Sequence, residues 1–135
     1  MILIIEDNPN IRQELSVYLQ ANGYPCICPE CRCCTQEKLT ADVKNLLLSS
    51  PIELILLDIN LDDCDGLELC RDIREQTNVP VIFVTGRTHD EDELAGILMG
   101  GDDFIRKPYH LPILLARIGR IMAVSYTHLR AHETE

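Results

Sequence analysis

The chain is poor in positive charge. Its 135 residues carry 22 acidic and 12 basic side chains, 3 of them Lys, for a net charge of −10. With no surplus of cations to displace phosphate counterions, unaided binding to DNA or to anionic lipid is not expected. Long apolar runs are missing as well. Runs such as Met1–Ile5, Leu46–Leu48 and Leu54–Leu57 are far too short to cross a bilayer. No basic segment precedes the first of them and Glu6-Asp7 follow at once, so it does not read as a signal peptide. Internal repeats and low-complexity tracts are absent. Cysteine is not scarce, but seven is an odd number and no secretion signal accompanies it. A reduced, cytoplasmic protein fits better than a disulfide scaffold. What remains is ordinary for one globular domain: 46% hydrophobic residues, 25% charged, and a length that can bury a core.

Short apolar runs alternate with helical stripes. Ile2–Ile5 is continuous, mostly β-branched and apolar, as a strand buried on both faces should be. Asn8-Pro9 then offers a cap and a proline suited to the first turn of a helix, whose stripe is Ile11, Leu15, Tyr18 and Leu19 and whose stop is Asn22-Gly23. Leu39, Val43, Leu46 and Leu47 form a second stripe. Ile52–Leu57 and Val79–Val84 are further buried-strand runs, and Phe104-Ile105 a short one. Helices are predicted around Leu67–Arg74, Asp90–Met99 and Leu111–Met122. Five strands alternating with five helices imply βαβ units, right-handed crossovers and a parallel sheet, an α/β fold. In such sheets function gathers at the carboxyl ends of the strands.

Those ends carry Glu6 and Asp7, Asp58, Thr85 and Lys107. Two like charges 4 Å apart repel by about 4 kcal/mol at an effective dielectric near 20, so converging carboxylates call for a cation. Hard oxygen ligands with open positions suit Mg²⁺. Lys107 can neutralise Asp58 or an oxygen carried on it, and Thr85 can donate a hydroxyl hydrogen bond to the same place. This is a constellation for phosphoryl transfer onto a carboxylate, with Asp58 as nucleophile. Any single Asp at a strand end could be no more than a helix cap. Five such residues at four strand ends argue for chemistry.

These motifs, Ile-Ile-Glu6-Asp7, Leu-Leu-Asp58-Ile-Asn60-Leu, Asp65-Gly66, Val-Thr85-Gly86, Gly-Gly-Asp102-Asp103-Phe104 and Lys107-Pro108, resemble the receiver domain of bacterial two-component response regulators over residues 1–122. The resemblance implies a doubly wound five-stranded parallel sheet of the CheY and flavodoxin type, in the order 2-1-3-4-5. It implies Asp58 as phosphoacceptor, Asp7 as direct Mg²⁺ ligand, Glu6 as a ligand through water and the backbone carbonyl of Asn60 completing the set. It also implies a cis Lys107–Pro108 peptide. Thr85 and Phe104 would be the switch: phosphorylation adds negative charge at Asp58, Thr85 moves to meet it and Phe104 turns inward.

Within the family the chain looks most like the winged-helix transcription-factor branch, and the Asp58-Ile-Asn-Leu and Cys70–Arg74 segments also resemble its antimicrobial-peptide-sensing subgroup. Members of the branch dimerise through the fourth helix, fifth strand and fifth helix. Asp103 and Arg117 match an ion pair of that face, whereas Glu93 and Ile113 stand where a second pair would be. The chain departs from the family elsewhere too. Asp62 replaces a common proline, and Asn60 and Arg87 occupy positions that tune phosphoryl lifetime. Cys26-Ile-Cys28-Pro-Glu-Cys31-Arg-Cys33-Cys34, expected to follow the second strand, is longer than the usual loop; Cys28 and Cys31 have the spacing of half a zinc knuckle. Residues 123–135 lose the apolar stripe and read as a non-native or disordered tail, with the output domain absent.

The expectation is a phosphoacceptor that serves a sensor histidine kinase and signals by dimerising, with no enzymatic turnover, no DNA binding by this segment and no membrane contact. Two rivals remain: a thiol or metal sensor built on the Cys loop, and a phosphohydrolase with an aspartyl nucleophile. The latter class usually carries a second acid two residues after the nucleophile, where Asn60 stands.

Overall fold

The computed structural model describes residues 1–29, 35–59, 61, 64–86, 102–107 and 110–133, and only the backbone of Thr85 and of 124–133. Five strands form one parallel sheet: β1 (Ile2–Ile5), β2 (Cys26–Ile27), β3 (Leu54–Leu57), β4 (Val81–Thr85) and β5 (Asp103–Arg106), in the order β2-β1-β3-β4-β5. The described helices are α1 (Pro9–Ala21), α2 (Gln36–Ser49), α3 (Gly66–Ile73) and α4 (Leu111–Glu133). The predicted helix Asp90–Met99 lies outside the described residues.

Register explains why the strands read as unbroken apolar runs. Ile2, Leu3, Ile4 and Ile5 pair with Leu54, Ile55, Leu56 and Leu57, and all eight are buried. Alternate residues face opposite layers. Leu3, Ile5, Ile55, Leu57, Val81 and Phe83 pack with Leu39 and Val43 of α2 and with Leu69, Cys70 and Ile73 of α3. Ile2, Ile4, Leu54, Leu56, Ile82, Val84 and Ile105 pack with Leu15 and Leu19 of α1 and with Leu114 and Ile118 of α4. Each fully buried Leu or Ile contributes roughly 1.5–3 kcal/mol, so neither face of the sheet can afford a polar side chain.

Local signals set the helix ends. Asn8 Oδ1 accepts from the N–H groups of Asn10 and Ile11, with Pro9 in the first turn. α1 stops where Gly23 takes φ +89°, a conformation that suits a residue without Cβ. Thr35 caps α2 through Lys38 N–H, and Asp65 caps α3 through Leu67 N–H. The backbone of α4 continues as helix to Glu133; among the described side chains Ile121 and Met122 pack against the core.

One placement differs from the sequence reading. Cys26 lies within β2, paired with Ile2, and does not follow the strand. An edge strand of two residues is too short to show periodicity, and a half-buried thiol packs there as a small apolar group. Cys28 comes directly after it; Cys31, Cys33 and Cys34 lie outside the described residues.

Candidate functional site

The topology brings the ends of β1, β3 and β5 to one edge. Asp58 follows Leu57, and its N–H donates to the Ile5 carbonyl at 3.0 Å, so β1 and β3 are still paired where Glu6 and Asp58 begin the site. Both acids are buried, at 8% and 6% exposure. Lys107, one residue past β5, donates its Nζ to Glu6 Oε1 at 2.5 Å and to Asp58 Oδ2 at 3.3 Å. One ammonium group thus bridges two carboxylates that are 52 positions apart in the chain and 49 and 101 positions from Lys107 itself.

The charges do not balance within this trio. Two buried carboxylates face one cation. Burial pushes the Glu6 carboxyl up from 4.5 to about 7, and Asp58 beside it pushes the same way against the pull of Lys107. The Lys107 ammonium is held above its usual 10.5 by the two acids, although burial alone would lower it. Asp7 continues from Glu6 with an exposed side chain, and its N–H donates to Glu6 Oε2 at 3.1 Å. Arg12 Nη1 donates to the Glu6 carbonyl at 3.0 Å, tying the first turns of α1 to the end of β1.

The donor set fits a hard divalent cation. Among the described residues no three His, Cys, Asp or Glu side chains gather where they could together hold a metal ion. Mg²⁺ does not ask for three: it binds through one or two carboxylates and keeps several waters. Glu6 and Asp58, with Asp7 next in the chain, supply acids whose excess negative charge such an ion would offset.

The remaining predicted residues fall as follows. Thr85 closes β4, its backbone paired with Arg106, and its side chain lies outside the described part, as do Asn60, Asp62, Arg87, Glu93 and Pro108. Phe104 pairs with Phe83 across β4 and β5; it is half-buried, and the two rings lie 6.4 Å apart and inclined at 46°. Arg117 Nη1 donates to Asp103 Oδ1 at 2.9 Å and to the Phe104 carbonyl at 3.4 Å. Asp103 and Arg117, expected on the dimer face, thus contact each other in this chain.

Sequence reasoning set the amino-terminal acids beside Lys107 but did not foresee a direct bond from Lys107 to Glu6, nor the grip of Arg12 on the Glu6 carbonyl. It named Asp65-Gly66 as a motif without seeing why glycine is needed. A Cβ at Gly66 would run into the Asp58 carbonyl oxygen and would stand 2.8 Å from Ile59 Cα.

A parallel sheet ordered 2-1-3-4-5 with paired acids and a lysine at its carboxyl edge agrees with what sequence comparison finds, a match to the response regulator receiver domain over residues 2–119. The chain belongs to that family. Among relatives of this receiver domain, the uncharacterized transcriptional regulatory protein YvcP of Bacillus subtilis is 37% identical over 125 residues, covering 93% of the chain and 49% of YvcP. A two-component response regulator from Clostridium difficile is similar in structure, with a TM-score of 0.79 at 30% identity, over 90% of this chain and 94% of that one. The BeF3-activated N-terminal receiver domain of RstA from Klebsiella pneumoniae gives a TM-score of 0.77 at 27% identity, over 90% and 97%. The receiver domain described here spans about half the length of the curated regulators it matches. Among the described residues no helix is long and apolar enough to cross a membrane.

Proposed function

We propose that this receiver domain, residues 1–122, accepts a phosphoryl group on Asp58 from a sensor histidine kinase in the cytoplasm. The observation that carries this reading is the bridge from Lys107 to Glu6 and Asp58. In the reaction a P–O bond forms to an Asp58 carboxylate oxygen as the P–N bond to the kinase imidazole breaks, and the imidazole leaves with the bonding electron pair. Asp58 must be ionised to attack, and the Lys107 ammonium stands 3.3 Å from its Oδ2. Lys107 is also placed to face the transferring oxygens. Glu6 and Asp7, with Asp58 and the Asn60 carbonyl, would hold Mg²⁺, which when bound supplies positive charge against the phosphoryl oxygens. The structurally similar RstA receiver domain is BeF3-activated, which supports this reading.

The output follows by charge. Phosphorylated Asp58 would draw the Thr85 hydroxyl, and Phe104 would repack between the sheet and its neighbours. The face formed by residues 90–99, β5 and α4 would then meet a second copy, and a transcriptional output would follow in a longer chain. We infer signalling, not turnover, because Asn60 stands where a hydrolase of this kind would carry an acid.

The test is mass spectrometry after incubation with acetyl phosphate and Mg²⁺. One added phosphoryl group on wild type and none on Asp58→Asn is the expected result. Many turnovers of acetyl phosphate with no adduct would favour the phosphohydrolase and overturn the reading.

A further inference from the structure

Gln36, the first residue of α2, reaches the backbone of Asp65 across 29 positions of sequence. Its Nε2 donates to the Asp65 carbonyl at 3.1 Å, and its Oε1 accepts from the Asp65 N–H at 2.7 Å. A primary amide can satisfy both groups of one residue at once, as a neighbouring strand would. A carboxylate could take only the N–H, and an apolar side chain neither.

Asp65 stands where the loop after Asp58 closes on itself. Its Oδ1 caps Leu67 N–H at 2.9 Å, and the next residue, Gly66, donates its N–H to the Ile59 carbonyl at 3.0 Å. Gly66 lies so close beneath Asp58 that no Cβ fits between them. Asp65 is thus joined through Gly66 to the backbone of Asp58 and Ile59. The helix that bears Gln36 is fixed by other means: Leu39 and Val43 are buried in the core, Thr35 caps its start, and Gln76 Nε2 holds the Lys44 carbonyl near its far end at 3.1 Å. The Gln36 amide is thus not needed to keep α2 in place; what it secures is the loop.

We propose that Gln36 is a positioning residue for the carboxylate cluster, holding the closing end of the Asp58 loop so that Asp58 keeps its register against Glu6 and Lys107 and binds Mg²⁺ in a preset geometry. The inference rests on the phosphoacceptor reading, and it deepens it. Groups that hold metal ligands in place, without touching the ion, often set affinity as strongly as a weak ligand does.

The experiment is titration calorimetry with Mg²⁺ on the full chain, wild type against Gln36→Met, which keeps the length of the side chain and loses both bonds. Gln36→Ala is read in the same assay in case the first variant folds poorly. Lys38→Ala, two residues along on the same exposed turn, is the control. The Gln36 variants should raise the Mg²⁺ Kd by about tenfold, and amide exchange at Asp65 and Gly66 should speed up. Lys38→Ala should change neither. Melting temperature is recorded alongside, because a merely structural role would move it without moving the Kd of the folded protein. A Kd changed by less than about twofold in the folded Gln36 variants overturns the inference. A wild-type chain that binds no Mg²⁺ would overturn the phosphoacceptor reading with it, whereas normal wild-type binding and unaffected variants would remove the Gln36 role alone.

Discussion

Lys107 stands nearer to Glu6 than to the proposed acceptor Asp58, at 2.5 Å against 3.3 Å. Its ammonium is therefore shared between the two acids, with the shorter contact on Glu6.

The Glu6 carboxyl, pushed to about 7 by burial and by Asp58, predicts a pH dependence in the metal-free protein. The folded state holds this proton more tightly than the unfolded chain does. The stabilisation is complete below about 4.5 and is lost as pH rises through 7. Urea unfolding in EDTA should show stability falling across that window, with Glu6→Gln flattening the slope. A Glu6→Gln profile parallel to wild type would contradict this.

Gly66→Ala should destabilise by about 2–3 kcal/mol, because the added methyl meets backbone on two sides and neither side can rotate away. Chemical denaturation gives the value, and phosphoryl acceptance should fall in the same variant as the Asp58 backbone is displaced.

Arg74 joins the end of α3 to the start of β4. Its Nη1 donates to the carbonyls of Val79 at 2.5 Å and Thr77 at 3.4 Å, and its Nη2 reaches Asp102 Oδ2 at 3.3 Å. The carboxylate is half exposed, so the ion pair itself contributes only ~0–1 kcal/mol. The carbonyl contacts should matter more. Arg74→Met is expected to cost about 1–2 kcal/mol in urea unfolding, and Asp102→Asn less, since Asn can still accept from Val81 N–H as Asp102 does at 2.9 Å.

Cys26 is held up to about 11 by burial first and Cys28 second, and burial raises Cys28 as well. Both should be slow to alkylate at neutral pH. Peptide mapping after iodoacetamide should show Cys26 labelling accelerate only as pH approaches 11. Fast labelling at pH 7 would instead revive the thiol-sensor reading for this strand.

The strands were legible because burial on both faces leaves a run such as Ile2–Ile5 without a polar interruption, and the acids at their ends stood out because nothing apolar explains them. The order β2-β1-β3-β4-β5 came from resemblance to a family, since runs of Ile and Leu do not say which neighbour they pair with. Contacts between distant polar residues away from the strand ends left no trace in the sequence. Gln36 and Asp65 look like two ordinary surface residues until the fold sets them 2.7 Å apart. Arg117 matched an interface position, but only the packing of α4 beside β5 shows that Asp103 of the same chain already engages it.

That internal engagement has a bearing on assembly. One guanidinium contacts two consecutive residues of β5, so a second copy that recruits Arg117 would first have to displace those contacts. Self-association through this surface would then be governed by an exchange of bonds and not by a sum of new ones, and a modest change inside the protomer could tip it.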